Sequence, residues 1–179
     1  MTPDAFPRPS GAAPGDVSPI IWGYCGHVDP VALVAALRAS SPNAPLQVFD
    51  AAGVFGVTHL GLAARLAARA FRQARARARD LATETLVYAA GERQVMRAIE
   101  RLGVRPTTTT FAVAAWGPEA EAAAAALADG FGWSRDDSVL AGDATTLERL
   151  DIKAPAEWPS ARWDELVWER VALVDVLKP

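Results

Sequence analysis

A run of arginines between residues 65 and 79 is the feature with the most obvious chemistry. Steps of four and three residues place its first members on one face of a predicted helix, and no acidic residue lies between Gly61 and Arg79. Guanidinium groups at this spacing repel one another unless an anion neutralises them, and a nucleic-acid backbone offers phosphates in series. A solvated helix face explains the same pattern, so both interpretations stay open. The series consists of Arg65, Arg69, Arg72, Arg75, Arg77 and Arg79.

A glycine turn before a second predicted helix could bind an anion. We expect a strand over Thr85–Ala89, a turn at Gly91, and a helix from about Glu92 to Leu102. Helix N-terminal N–H groups favour an anion, arginine can bind a phosphate bidentately, and glutamine can recognise a base edge. From the residues alone, an ordinary joint whose glycine supplies a positive φ is the simpler interpretation. The candidates at this turn are Arg93, Gln94 and Arg97.

Residues that could bind a metal or act as nucleophiles are few. Cys25 is the only cysteine, and His27 and His59 are the only histidines. These three side chains make a thin ligand set for zinc, and no nucleophile–base pattern, phosphate-binding loop or dinucleotide motif accompanies them. We therefore expect no catalysis, no metal and no cofactor, and an enzyme that uses Cys25 and His27 is the least favoured alternative.

Composition limits the classes of protein that remain. The chain has 179 residues, 51% of them hydrophobic, and a net charge of −3, which suits one domain and argues against a cationic coat. No apolar run reaches membrane-spanning length, and a lone cysteine fits a reducing cytoplasm. We expect residues 1–19, rich in proline, to be a disordered lead-in or a strap along the surface, and residues 20–179 to form the domain.

The order of predicted helices and strands indicates an α+β fold. We expect one mixed sheet of about four strands that is covered by helices. Asp29 and Pro30 predict the cap and first turn of the first helix, and Thr58 is expected to cap the longest one. The predicted strands are 20–25, 46–55, 85–89 and 107–115. The predicted helices are 30–40, 58–81, 92–102, 118–128, 145–150 and 161–177.

Three ordered segments resemble a known family. They are Val54–Leu60 with the alanine-rich helix that ends at Phe71, then Thr83–Val104 with its Gly-Glu-Arg-Gln-Val motif, and Glu169–Val176. Their order and spacing resemble the kinase-binding subunit of the KEOPS complex, a family known in animals as the PRPK-binding protein. The last segment is similar to archaeal members.

The resemblance implies a non-catalytic subunit of a tRNA-modifying complex. Such a subunit binds the small KEOPS kinase, which acts as an ATPase, and reaches the threonylcarbamoyl-transferring subunit through that kinase. It also helps recruit tRNA, including the 3′ CCA end, for threonylcarbamoylation of adenosine 37. The partner contacts expected from the resemblance are Phe55, His59 and Leu60, and the tRNA contacts are Arg65, Arg69, Arg72, Arg75, Arg93, Gln94 and Arg97. A free-standing regulatory or small-molecule-binding domain remains the alternative.

Overall fold

The computed structural model describes residues 18–40 and 43–176. Most of the proline-rich segment 1–19 lies outside the described residues. The same holds for Leu177, at which the last helix is expected to end.

A four-stranded sheet lies at the centre of the described chain. Its strands are β1 (Ile20–Cys25), β2 (Leu46–Asp50), β3 (Thr110–Ala115) and β4 (Ser134–Arg135). They follow the order β2-β3-β1-β4, and each neighbouring pair is antiparallel. The α+β class and the number of strands are therefore confirmed, but the sheet is antiparallel throughout and not mixed.

Helices cover both faces of this sheet. The helices are α1 (Pro30–Ala39), α2 (Gly56–Arg72), α3 (Leu81–Ala89), α4 (Val95–Leu102), α5 (Ala120–Phe131), α6 (Ala144–Arg149) and α7 (Trp163–Val176). Side chains alternate along β3, so Phe111 and Val113 join the core under α1 and α5, whereas Ala112 and Ala114 join the core under α2, α3 and α7. Asp29 caps α1 as expected, because its carboxylate accepts the Val31 N–H.

The strand expected over Thr85–Ala89 is wrong, because this segment belongs to helix α3. The Asp80 carboxylate accepts the Thr83 N–H and starts the helix. The apolar run that follows is buried on every side, and a short run of that kind does not distinguish a buried strand from a buried helix. The fourth strand is instead Ser134–Arg135, in a region expected to be a loop.

Helix α2 ends earlier than the expected helix 58–81. It begins at Gly56, before Thr58, and ends at Arg72. Ala74 has a positive φ of 53°, which turns the chain out of the helix. Arg75 and the arginines after it therefore do not extend the face of α2.

Two strand boundaries also differ from expectation. β2 ends at Asp50, where a 3-10 turn over Ala51–Gly53 begins, and the Asp50 carboxylate accepts the Ala52 N–H. β3 begins at Thr110, three residues later than expected. Within the described residues, no helix is long and apolar enough to cross a membrane.

Candidate functional site

Helices α2 and α3 form an antiparallel pair that is held at one end by His59. The His59 Nε2–H donates to the Ala89 carbonyl at 2.9 Å, and the Phe55 backbone N–H donates to His59 Nδ1 at 3.1 Å. The loop over residues 73–80 joins the opposite ends of the two helices. We call this arrangement of Phe55, His59 and Ala89 the histidine contact.

Burial keeps the His59 imidazole neutral. The ring is fully buried, and burial lowers its pKa to about 4 although the hydrogen bond to Ala89 opposes that shift. A neutral ring can accept at one nitrogen and donate at the other, as both hydrogen bonds require. His59 therefore holds the helix pair together, and no part of it faces solvent.

The structure places His59 and Leu60, two of the expected partner contacts, in the core of the described chain. Both residues are 0% exposed, because their side chains point from α2 into the core shared with α3. Phe55 is half-buried. The surface beside them is formed instead by Val57, which is 52% exposed in the first turn of α2.

An apolar groove extends from Val57 toward α7. Its volume is about 470 Å³. We call it the Trp168 groove, because the half-buried indole of Trp168 forms its α7 wall. The sequence alone did not single out Trp168 as a site residue. The lining consists of Ser18, Pro19, Ile21, Val57, Thr58, Gly61, Leu62, Arg65 and Trp168.

A buried cluster of charges joins α3 to the loop before it. Glu84 is 0% exposed, and its Oε2 accepts the backbone N–H groups of Arg77 at 2.8 Å and Ala78 at 2.6 Å. The Arg77 guanidinium lies 3.4 Å from Glu84 Oε1 and donates to the Val174 carbonyl at 2.9 Å. Arg77 is therefore a structural residue and not part of an anion-binding face.

The same cluster extends to the end of α7. The Tyr88 hydroxyl donates to Asp175 at 2.5 Å, and Arg69 lies 2.7 Å from the other oxygen of Asp175. Burial and the hydrogen bond to Asp175 raise the pKa of Tyr88 to about 12. Burial opposes ionisation of Asp175, but hydrogen bonds from Tyr88 and Arg69 outweigh it and lower the Asp175 pKa. We call the set Arg69, Arg77, Glu84, Tyr88 and Asp175 the ionic cluster.

The four arginines expected to contact phosphates between residues 65 and 75 are not equivalent. Arg65 and Arg72 are exposed on helix α2, and neither forms an ion pair with another described residue. The Arg69 guanidinium is neutralised by Asp175, although its side chain remains 45% exposed. Arg75 lies beyond the end of the helix and contacts Gln73. Arg65 and Arg72 thus have the freest charges of the four.

The second group of expected tRNA contacts lies at the start of α4. Gly91 has a φ of 62°, so its expected positive φ is confirmed, but it links two helices and not a strand to a helix. Gln94 is exposed at the N-cap position of α4, and its side chain makes no capping hydrogen bond. Arg93 precedes it, and Arg93 Nη1 is buried without a hydrogen-bond partner among the described residues.

These two groups do not form one cluster. The Ala89 carbonyl, and with it the turn to α4, lies at His59 near the start of α2. The helix rises about 20 Å between His59 and Arg72. The structure therefore places Arg93 and Gln94 near the histidine contact and Arg72 and Arg75 at the far end of α2.

A polar cleft of about 630 Å³ opens beside Arg97, and sequence reasoning missed it. Two arginines of its wall are ion-paired: Arg101 with Glu92 at 2.6 Å, and Arg149 with Asp50 at 2.7 Å. The two residues of the first pair are nine apart in the sequence, and those of the second pair are 99 apart. No local sequence pattern therefore predicts the second pair. The lining is Glu92, Arg97, Glu100, Arg101, Arg105 and Arg149.

The remaining candidates, Cys25 and His27, are not brought into a metal site. Among the residues that the structure describes, no group of three or more His, Cys, Asp or Glu side chains is placed to hold a metal ion. The Cys25 thiol lies 3.8 Å from Asp136, and burial together with this carboxylate raises the thiol pKa.

Comparison with known proteins identifies one family. The family model of kinase binding protein CGI-121 matches residues 29–140, more than half of the chain. The matched range begins at the cap of α1 and includes both the histidine contact and the start of α4. A comparison with curated proteins found no match.

Proposed function

This chain belongs to the family of kinase binding protein CGI-121, and from that premise we propose that it is a non-catalytic subunit of a KEOPS-type complex. In this role it binds the small KEOPS kinase directly and helps recruit tRNA for threonylcarbamoylation of adenosine 37. The threonylcarbamoyl-transferring subunit is reached through the kinase.

The observation that carries the kinase proposal is the apolar surface at the start of α2. Val57 is 52% exposed, and it adjoins the Trp168 groove in a segment within the family match. Apolar side chains at the centre of an interface, surrounded by polar groups, supply most of the affinity in protein complexes. Arg65 at the edge of the groove gives this surface a polar rim. We assign the kinase contact to this surface, with Phe55 as a supporting residue.

The tRNA proposal rests first on the arginines that form no ion pair with another described residue. Arg65 and Arg72 are available for phosphates, and Arg75 lies close by at the end of α2. Arg69 can contribute only in part, because Asp175 already neutralises it. Arginine suits phosphate because its planar guanidinium binds two oxygens at once. These side chains would bind the tRNA backbone without reading its sequence.

The start of α4 is assigned to the unpaired 3′ end. Arg93 Nη1 is buried and has no hydrogen-bond partner in the described ranges 18–40 and 43–176, and such a group is costly until an acceptor reaches it. Gln94 is exposed beside it, and Arg97 follows one turn later. Unpaired bases can be recognised on their edges, which a duplex hides. Because α2 rises only about 20 Å between His59 and Arg72, one tRNA can contact both the arginines on α2 and the residues at the start of α4.

The kinase proposal is tested by co-expression of the full chain with the small KEOPS kinase of the same organism. We expect the two proteins to elute as one complex in size-exclusion chromatography. Separate elution at micromolar concentrations, with each protein folded by circular dichroism, contradicts the assignment.

The tRNA proposal is tested by a double cycle of protein variant and CCA removal. Arg93→Ala should weaken binding of intact tRNA, measured by fluorescence anisotropy at fixed salt, and leave binding of CCA-trimmed tRNA unchanged. Arg72→Ala should weaken both forms alike, because its phosphate contact does not involve the 3′ end. Additive losses for Arg93→Ala and CCA removal would show that Arg93 does not touch the 3′ end.

A further inference from the structure

The polar cleft beside Arg97 is lined by charged side chains. Its lining, given above, consists of four arginines and two glutamates, so the arginines outnumber the carboxylates by two. No aromatic or apolar residue of the described chain contributes to it. Guanidinium groups gathered in one cleft repel one another unless an anion neutralises them. This lining suits a compact ligand with several negative charges, and it offers no surface on which a ring or an alkyl chain would pack.

Two of the arginines are fixed in place because each caps the helix of the other. The Arg101 guanidinium donates to the Leu150 carbonyl at the end of α6 at 2.6 Å, and Arg149 Nε donates to the Arg101 carbonyl in the last turn of α4 at 2.7 Å. Each also has one carboxylate partner, Glu92 or Asp50. These contacts engage two of the three nitrogens of each guanidinium, which has five N–H donors. Both groups are therefore preorganised and have donors left for a ligand.

The other two arginines have no carboxylate partner among the described residues. Arg97 is exposed on α4 and forms no ion pair there. Arg105 is exposed just after α4, and its guanidinium donates to the backbone carbonyl of Glu100. Neither side chain is needed to hold two helices together, in contrast to Arg101 and Arg149. Both can close over an anion that rests on the fixed pair.

The glutamate end of the cleft lacks acceptors. Glu92 is shared by two guanidinium groups, Arg101 at 2.6 Å and Arg170 at 3.7 Å. The Arg170 side chain packs on Gly91 so closely that a Cβ added there would lie 2.6 Å from Arg170 Nε. This Nε is buried and has no hydrogen-bond partner within the described ranges. An unpaired buried donor is costly, and an anion that draws Arg101 away from Glu92 would leave this carboxylate to Arg170.

We propose that the polar cleft binds an oligophosphate, meaning two or more linked phosphate groups, either as pyrophosphate or as the diphosphate of a nucleotide. Each phosphate group offers several acceptor oxygens that arginine binds bidentately. The volume of about 630 Å³ is within the range of small-ligand sites. Arg101 and Arg149 form the floor, Arg97 and Arg105 close over the phosphates, and a nucleoside would remain in solvent. This site goes beyond the proposed function and shares only Arg97 with it.

Isothermal titration of the full chain with pyrophosphate at fixed ionic strength tests the site. We expect saturable binding of one pyrophosphate per chain. Arg105→Ala should lower the affinity about tenfold, as loss of a charge-assisted hydrogen bond does, and Glu100→Gln should raise it, because a carboxylate leaves the lining. Arg38→Ala is the matched control, at an exposed position in the last turn of α1, and it should bind like the parent.

ADP and UDP show whether the diphosphate is free or belongs to a nucleotide. Equal affinities for ADP, UDP and pyrophosphate assign the site to nucleotides whose base is not recognised. Binding of pyrophosphate alone assigns it to a free oligophosphate. A preference of tenfold or more between ADP and UDP overturns the proposal, because it requires a contact with the base that the lining does not provide.

Other outcomes also overturn the proposal. Absence of saturable pyrophosphate binding does so, and so does an equal loss in Arg105→Ala and Arg38→Ala, which would indicate attraction by surface charge alone. Circular dichroism checks the fold of each variant. Arg97→Ala, at an exposed helix position, should weaken pyrophosphate binding like Arg105→Ala and decides the matter if Arg105→Ala does not fold. Arg105 is not among the proposed tRNA contacts, so failure of tRNA binding in every variant contradicts the proposed function and leaves the pyrophosphate result intact.

Discussion

The α2–α3 pair is held by two contacts of opposite character. The histidine contact is neutral: His59 is fully buried and bonds only to backbone groups. The ionic cluster is charged: Glu84 is equally buried but bonds to a guanidinium and two backbone N–H groups. Histidine and arginine are residues that a sequence suggests for function, and here both stabilise the fold. The residues that we propose for binding lie beside these contacts, at Val57 and Arg72.

The largest expected effect comes from breaking the ionic cluster. Glu84→Gln removes the carboxylate that Arg77 faces and places an amide N–H₂ near backbone N–H donors. Loss of one partner of a buried ion pair costs about 4 kcal/mol. We expect urea denaturation to show a fall of this size in the free energy of unfolding. Glu157→Gln, at an exposed loop position, should change it little, and equal small effects for both variants would contradict the role of Glu84.

Because the histidine contact requires a neutral His59, it should make the stability of the protein depend on pH. The pKa of His59 is about 4 in the folded chain and about 6.5 when unfolded. The unfolded state therefore binds more protons between these values, and stability falls as pH is lowered from about 6.5 to about 4. The expected loss is about 3 kcal/mol, measured by urea denaturation across this range.

Two variants separate the contribution of His59 to the pH dependence of stability from the contribution of the carboxylates. His59→Leu should be less stable than the parent at pH 7, because the Phe55 N–H and the Ala89 carbonyl lose their partner, and the two proteins should converge toward pH 4. His27→Leu, at an exposed position, should follow the parent. A constant gap between parent and His59→Leu at all pH values would show that His59 does not titrate as assigned.

A smaller effect distinguishes two arginines on the same helix. Arg72 forms no ion pair within the part of the chain that the structure describes, whereas Arg69 is neutralised by Asp175. Arg72→Ala should lower the slope of log affinity for tRNA against log salt by about one unit, and Arg69→Ala should lower it by less. Fluorescence anisotropy at several salt concentrations measures both slopes. An unchanged slope for Arg72→Ala would remove this residue from the tRNA contacts.

The sequence predicts many of the helices and strands, because residues close together in the chain determine them. Asp29 before Pro30 predicts the cap of α1, and alternation along Phe111, Val113 and Ala115 predicts β3. The segment Thr85–Ala89 is assigned wrongly because burial on all sides removes the periodicity that distinguishes helix from strand.

The candidate site is less predictable because its partners are distant in sequence. Arg69 and Asp175 lie 106 residues apart, and Arg77 and Val174 lie 97 apart. No spacing rule can show that one arginine of a series is paired while its neighbour is free. The exposure of Val57 beside a buried Leu60 likewise follows from how α2 packs on α3, which the apolar character of both residues does not reveal.

The most direct test of the kinase assignment is calorimetric titration of the small KEOPS kinase with two matched variants. Val57 and Val31 are each the second residue of a helix, and they are 52% and 77% exposed. Aspartate is favourable in a first helical turn, so both variants should fold. We predict that Val57→Asp weakens kinase binding at least tenfold, as loss of a central apolar contact does, and that Val31→Asp binds like the parent. Equal affinities for both variants and the parent would contradict the assignment of the kinase contact to the start of α2.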